Sequence, residues 1–278
     1  MEKVFNIEDY GGLKDDEYIK DDKIFCKKCN TPRMFVAPDG YFRARCICKC
    51  QKEANEKRQA EAEKLERLKK IEDLKSASLI GERYKNVSFD TTEVGHSATF
   101  DKAFIRCKRY CEVSDVVLKD GLGIYIYGAC GTGKSHLTAC MANNLTSQLK
   151  QVLFTNFSEI SQIIRSSFGK TFSSNNESAF MYKLANIDFL FIDDIGTERV
   201  QSKDGDLWLQ EKIYDILNKR YNMKKPTIFT SNYSLSELIS ERGLMQKTVD
   251  RIIEMSNAVF EIKGTSYRMR ARKGELPF

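Results

Sequence analysis

Gly128, Ala129, Cys130, Gly131, Thr132, Gly133, Lys134 and Ser135 follow an apolar run of Ile124, Tyr125, Ile126 and Tyr127. They open a helical pattern carried by Leu137, Cys140, Met141, Asn144 and Leu145. A strand, a glycine-rich turn closing on lysine and serine, and a helix, in that order, form the layout of a phosphate-binding P-loop. The glycines let the backbone curl so that its N–H groups face a β-phosphate. Lys134 brings charge to the β- and γ-phosphates, and the Ser135 hydroxyl suits Mg²⁺. Because such a loop works only between a strand and a helix, it restricts the fold to the α/β class. His136 directly follows the loop and reads as a phosphate-proximal or packing residue rather than a base.

The rest of the second half agrees with that class. Apolar strand patterns recur at 123–127, 152–155, 189–192, 227–230 and 259–262, with helical patterns between them. Right-handed crossovers then predict a mostly parallel five-stranded sheet with helices on both faces. Ligands of such sheets gather at the carboxyl ends of the strands. There the run Phe189, Leu190, Phe191, Ile192 ends in Asp193 and Asp194, and Thr227, Ile228, Phe229, Thr230, Ser231 ends in Asn232. The first is a Walker B pattern, with Asp193 suited to the Mg²⁺ shell and Asp194 to polarising the attacking water. The amide of Asn232 suits orientation of that water. Guanine recognition would ask for an aspartate two residues after an Asn-Lys pair, and the comparable segment Asn218, Lys219, Arg220, Tyr221 lacks it. ATP is the expected nucleotide.

The first half reads differently. No stretch approaches the roughly 20 apolar residues of a membrane span, and the N-terminus has no apolar leader core, so a cytoplasmic protein is expected. In a reducing compartment, nine cysteines in 278 residues call for an explanation other than disulfides. Cys26 and Cys29, then Cys46, Cys48 and Cys50, supply one. Two ligands from each of two turns is the layout of a tetrahedral zinc site, here with five candidates for four places. The acids lie mostly before this cluster: residues 1–22 hold eight acids and three lysines, and residues 23–50 hold seven basic residues and one acid. Lys27, Lys28, Arg33, Arg43, Arg45 and Lys49 interleave with Phe25, Phe35, Tyr41 and Phe42. That composition fits a single-stranded nucleic-acid surface, a protein-docking face, or simply aromatic cover for the metal. Residues 51–77 contain neither Gly nor Pro and place Glu53/Lys57, Glu63/Arg67 and Glu66/Lys70 in the favourable i,i+4 order. They predict a solvated helix with a thin apolar stripe of Leu65, Leu68, Ile71 and Leu74. Three parts are expected: a zinc-binding domain at 1–50, a charged helical linker at 51–77 and an ATPase domain at 78–278.

With Gly131–Leu137, Ile192 through Gly196, Thr230 through Asn232, Asp250 through Ile252, and Ser266 through Arg268 in this order, residues 78–270 resemble the AAA+ ATPases of the DnaC/DnaI helicase-loader type. They are also similar to the IstB transposition ATPases. The resemblance implies a sensor role for Asn232, an arginine finger at Arg251 that reaches a neighbouring subunit's γ-phosphate, and a second sensor at Arg268. Spacing alone also leaves Arg251 readable as a helix-surface residue paired with Asp250 or Glu254. Only ten residues follow Arg268, so the expected core has no C-terminal helical lid. Asp194 stands where the wider class has Glu, which implies slow turnover, as in a switch. Relatives of the loader type pair a C-x-x-C with a C-x-C, which implies Cys26, Cys29, Cys46 and Cys48 as zinc ligands, with Cys50 the substitute.

The resemblance implies an ATP-dependent loader of the replicative DNA helicase onto single-stranded DNA, from a bacterium or a phage. Its N-terminal domain would dock on the helicase, and its ATPase domains would self-associate there. An IstB-like ATPase assisting a transposase, and a zinc-anchored adaptor that binds ATP with little hydrolysis, are the alternatives.

Overall fold

The structure is a computed structural model and describes residues 6–38, 43–166, 174–197 and 204–267. The chain forms two compact units, Met1–Lys69 and Lys70–Phe278. In the first, β1 (Glu17–Lys20) pairs antiparallel with β2 (Lys23–Cys26), and β3 (Met34–Val36) with β4 (Arg43–Arg45). So few residues give only a small apolar interior: Ile24, Cys26, Met34 and Cys48. Beside it lies an ionic knot. The carboxylate of Glu17, 1 % exposed, accepts from Arg33 at 3.1 Å and from Arg45 at 2.7 Å. Burial pushes the Glu17 carboxyl up, but hydrogen bonds from Arg45, the Lys14 backbone and Arg33 outweigh it, and its pKa falls below the usual range. Helix α1 (Lys49–Ala77) follows, and the boundary between the two units falls inside it. None of its residues is buried, and Leu65 and Leu68 are more than half exposed. Its charged composition leaves no apolar face wide enough to pack.

The second unit begins with α2 (Ala98–Glu112) and α3 (Ser114–Asp120) and continues with β5 (Gly123–Tyr127), α4 (Lys134–Ser147), β6 (Val152–Asn156), α5 (Phe157–Ser166), α6 (Ser174–Asn186), β7 (Phe189–Ile195), α7 (Asp204–Asn222), β8 (Thr227–Ser231), α8 (Leu235–Ser240), α9 (Gln246–Met255) and β9 (Ser256–Glu261). The strands form one parallel sheet in the order β6-β7-β8-β5-β9. Strands β5 to β8 read as nearly unbroken buried runs because both of their faces are covered. Ile124, Ile126, Phe189, Phe191 and Ile228 enter one core with α2 and α4; Tyr125, Leu190, Ile192 and Phe229 enter the other with α7 and α9. The expected five-stranded parallel sheet is therefore present. The last strand begins three residues earlier than its apolar pattern, because β9 pairs with β5 from Ser256 and alternates half-buried with exposed residues at the sheet edge.

Among the described residues no helix is long and apolar enough to cross a membrane.

Candidate nucleotide site and cysteine cluster

The turn from β5 into α4 can be made only with glycine at its start. Gly128 has φ 148°, and a Cβ there would lie 2.1 Å from the carbonyl oxygen of Ile262. Helix α4 then begins at Lys134, which is 4 % exposed. Its ammonium donates to the carbonyls of Gly128 at 2.8 Å and Ala129 at 2.9 Å, and to Oδ1 of Asn232 at 2.8 Å. The cation of the loop and the amide at the end of β8 therefore face the same point.

The acids of β7 are sorted by a break in the strand. Successive strand residues point to opposite faces, but the β7–β8 register shifts between Ile192 and Ile195 and Asp194 adopts φ 55°. Asp193 stays buried, and its carboxylate accepts from the Thr230 hydroxyl and from Ser135. Asp194 instead lines a cavity of about 470 Å³ together with residues 130–136, Thr197 and Asn232. One hydroxyl fixes both acids, because Thr230 Oγ1 also accepts from the Asp194 backbone N–H at 2.9 Å. Burial pushes the Asp193 carboxyl above the usual range; the Thr230 bond opposes this and the Asp194 charge reinforces it. A cation beside Asp193 and Ser135 would relieve that burden, so the pair suits a Mg²⁺ shell. The sequence names Thr230 only as part of the Thr230–Asn232 motif and gives it no role of its own, because a threonine in a β-branched strand carries no signal of a bond to two acids.

Beside the loop glycines the cavity wall is aromatic: a Cβ on Gly133 would lie 2.8 Å from the Phe100 ring. His96 lies 4.9 Å from the Phe100 ring and 5.4 Å from Tyr267, and the Tyr267 N–H donates to the Gly131 carbonyl at 2.8 Å. His136 also lines the cavity, its Nε2 2.9 Å from the Thr92 hydroxyl, and burial and the Arg83 charge push its pKa down. The volume suits a nucleotide whose phosphates meet the loop. Arg251 lies outside this lining. Its guanidinium rests 4.2 Å over the Tyr221 ring and pairs with Glu254 on the same helix. Arg268 lies outside the described residues.

The family model of the IstB-like ATP binding proteins matches residues 114–274, more than half of the chain. The chain belongs to the IstB-like ATP-binding family. Its similarity extends further, to the replicative helicase loader DnaC of Escherichia coli (strain K12), at 28% identity over 222 residues, 79% of this chain and 84% of that protein. A crystal structure of the DnaC helicase loader is similar at 27% identity and TM-score 0.52, covering 66% of this chain and all of the other. The replication initiator DnaA bound to AMPPCP and single-stranded DNA shares the fold at 19% identity and TM-score 0.53, over 67% of this chain and 52% of that one.

A second cluster lies in the first unit, where Cys26, Cys29, Cys48 and Cys50 hold their sulfurs within 4.8 Å of one another. Tetrahedral Zn–S bonds of 2.3 Å set sulfurs about 3.8 Å apart, and the pairs Cys26–Cys50 and Cys48–Cys50 lie at 3.6 and 3.4 Å. The donor set fits zinc. Cys46, expected as a ligand, stands outside it: its exposed Sγ lies 3.6 Å from the Pro32 carbonyl. The start of α1 at Lys49 brings Cys50 beside Cys48, while Cys46, just after β4, turns its sulfur to the Pro32 carbonyl instead. Arg33 donates towards Cys26 Sγ at 3.6 Å, which sets a cation beside the cluster. The Thr31 hydroxyl, together with backbone donors, pulls the Cys29 thiol down to about 5, while its bonds to Cys48 and Cys29 push the Cys50 thiol up to about 12.

Proposed function

We propose that the chain is an ATP-dependent loader of a replicative DNA helicase onto single-stranded DNA. The observation that carries this reading is the similarity to the DnaC loader, which runs through 84% of that protein rather than through the nucleotide site alone.

In this reading ATP sits with its phosphates over Gly131, Thr132 and Gly133, and Lys134 turns its donors from the loop carbonyls to the β- and γ-oxygens. Mg²⁺, held by Ser135 and Asp193, supplies charge neutralisation at the phosphates. Asp194 takes the proton of the attacking water, and Asn232 orients that water. Arg251, which does not line its own chain's cavity, serves a neighbouring subunit's γ-phosphate, which makes hydrolysis depend on assembly. Arg268 completes the phosphate contacts as a second sensor. The cysteine module, with Cys26, Cys29, Cys48 and Cys50 as ligands, is the docking domain for the helicase, and zinc supplies the stability that its few apolar residues do not.

The test is a pull-down of the replicative helicase from the host cell's own replication system by the full chain, with and without ATP. Retention of the helicase, altered by ATP, is the expected result. Retention of a transposase instead of the helicase would favour the IstB-like reading.

A further inference from the structure

The turn that carries Asp194 is fastened from outside the cavity by three side chains: Thr230 Oγ1 accepts from the Asp194 N–H, the Ser231 hydroxyl donates to the Ile195 carbonyl at 2.6 Å, and Arg242 holds the rest. The Thr197 N–H and hydroxyl donate to the Asp194 carbonyl at 3.3 and 2.6 Å, closing a turn in which Gly196 has φ 82°. Leu238 presses on this turn so closely that a Cβ on Gly196 would lie 2.5 Å from its Cδ2. The two carbonyls left over, those of Gly196 and Thr197, are both taken by Arg242: Nε donates to Gly196 and Nη2 to Thr197 at 2.6 Å. The same guanidinium lies 4.8 Å from the ring centre of Tyr233, the residue after Asn232.

Arg242 itself is held. It stands in the connection between α8 and α9, which Gln210 of α7, 3 % exposed, grips by accepting from the Met245 N–H at 2.6 Å and donating to the Gly243 carbonyl at 3.4 Å. One planar fork thus joins three things: the turn bearing Asp194 and Thr197, the strand end bearing Asn232, and the connection that leads into α9. Thr197, Asp194 and Asn232 all line the nucleotide cavity, and Arg242 does not. A lysine in its place has no fork to span two successive carbonyls and stacks less well on an aromatic ring.

We infer that Arg242 is a positioning residue for ATP hydrolysis: it sets Asp194 against Asn232 at the γ-phosphate end of the cavity without touching nucleotide. The inference rests on the reading of Asp194 as the base and Asn232 as the water-orienting group. Misplacing a reacting group by about 1 Å costs on the order of 10²-fold in rate, and ground-state binding through the P-loop does not depend on this turn.

The experiment compares wild type, Arg242→Ala and Arg242→Lys as full chains, in the assembled state that gives maximal turnover. Affinity for a fluorescent ATP analogue, kcat and the melting temperature are read in parallel. Expected are affinities within about twofold of wild type and a kcat about 10²-fold lower in Arg242→Ala. Arg242→Lys should be intermediate, and added guanidinium ion should restore part of the Ala variant's rate. Wild-type kcat in Arg242→Ala overturns the positioning role. So does a loss of affinity and melting temperature in step with rate across both variants, which marks a purely structural residue. Should Arg242→Ala not fold, Arg242→Lys decides alone: a wild-type kcat in it overturns the role. A wild-type chain that binds ATP but shows no turnover in any assembly contradicts the hydrolysis reading itself, and the inference with it.

Discussion

Thr230 carries more of the nucleotide site than its type suggests. Its hydroxyl donates to Asp193 and accepts from the Asp194 N–H, so Thr230→Val removes both bonds while keeping the strand's shape. Loss of the Asp194 bond frees a residue held at φ 55°, a conformation that costs of order 1–3 kcal/mol unless the surroundings enforce it. Thr230→Val should lower kcat about tenfold or more with little change in nucleotide affinity; steady-state kinetics beside a binding titration checks it. Lys134→Ala, in contrast, removes the cation at the phosphate end and should abolish ATP binding in the same titration. His136 gives the site a pH signature. Its pKa is lowered in the fold by burial and by Arg83, so the unfolded chain binds the proton more readily. The stability that comes from keeping His136 neutral is complete above the unfolded value of about 6.5 and is lost as pH falls below it. Melting curves between about pH 5 and 8 should therefore fall more steeply towards acid in wild type than in His136→Gln.

At the scale of elements, two devices hold what the apolar pattern does not. In the ATP-binding unit, Arg220 of α7 is fully buried and donates to the carbonyls of Leu184, Ile187 and Pro226 at 2.8, 2.9 and 2.6 Å, and to Thr227 Oγ1 at 2.9 Å. It closes the C-terminal end of α6, where helix carbonyls lack partners, and joins that end to the start of β8. Arg220→Met would leave several buried carbonyls unsatisfied at about 1–3 kcal/mol each, so urea unfolding should show a loss of at least about 3 kcal/mol. In the N-terminal unit, the four-sulfur cluster is the proposed zinc site that would take the place of a core. Cys50→Ser should cut zinc affinity sharply and loosen the unit, while Cys46→Ser should leave metal content unchanged; metal analysis of the two variants separates them. The apolar runs announced β5, β7 and β8 well, since strands covered on both faces cannot hide their composition. Cys50 and Arg220 were not legible in the same way. Which cysteine joins the cluster depends on where α1 begins, and the partners of Arg220 are backbone carbonyls, which leave no trace in side-chain patterns.

For the whole molecule, the proposed self-association asks how a nucleotide held by one chain would report to another. Arg251 lies over Tyr221, outside its own cavity lining, so the proposed finger role makes a testable demand. Arg251→Ala should bind ATP normally yet lose about 10³-fold or more of the hydrolysis rate in the assembled state; an unchanged rate there would leave Arg251 a surface residue of α9. The P-loop, Walker B acids and Asn232 were readable as parts of one site because each follows a strand of the same sheet. The wall of His96, Phe100 and Tyr267 was not, since it joins residues more than 160 positions apart through folding alone. Membership of the IstB-like family settles the ATP-binding fold, and the loader function is the proposal built on the similarity to DnaC. The most direct test is a loading assay. The full chain, its host's replicative helicase and a circular single-stranded DNA coated with single-strand binding protein are combined with ATP, and helicase retained on the isolated DNA is measured. Wild type should deposit the helicase on the circle, and Lys134→Ala should not; equal helicase on DNA with and without the chain, or with either variant, would contradict the account.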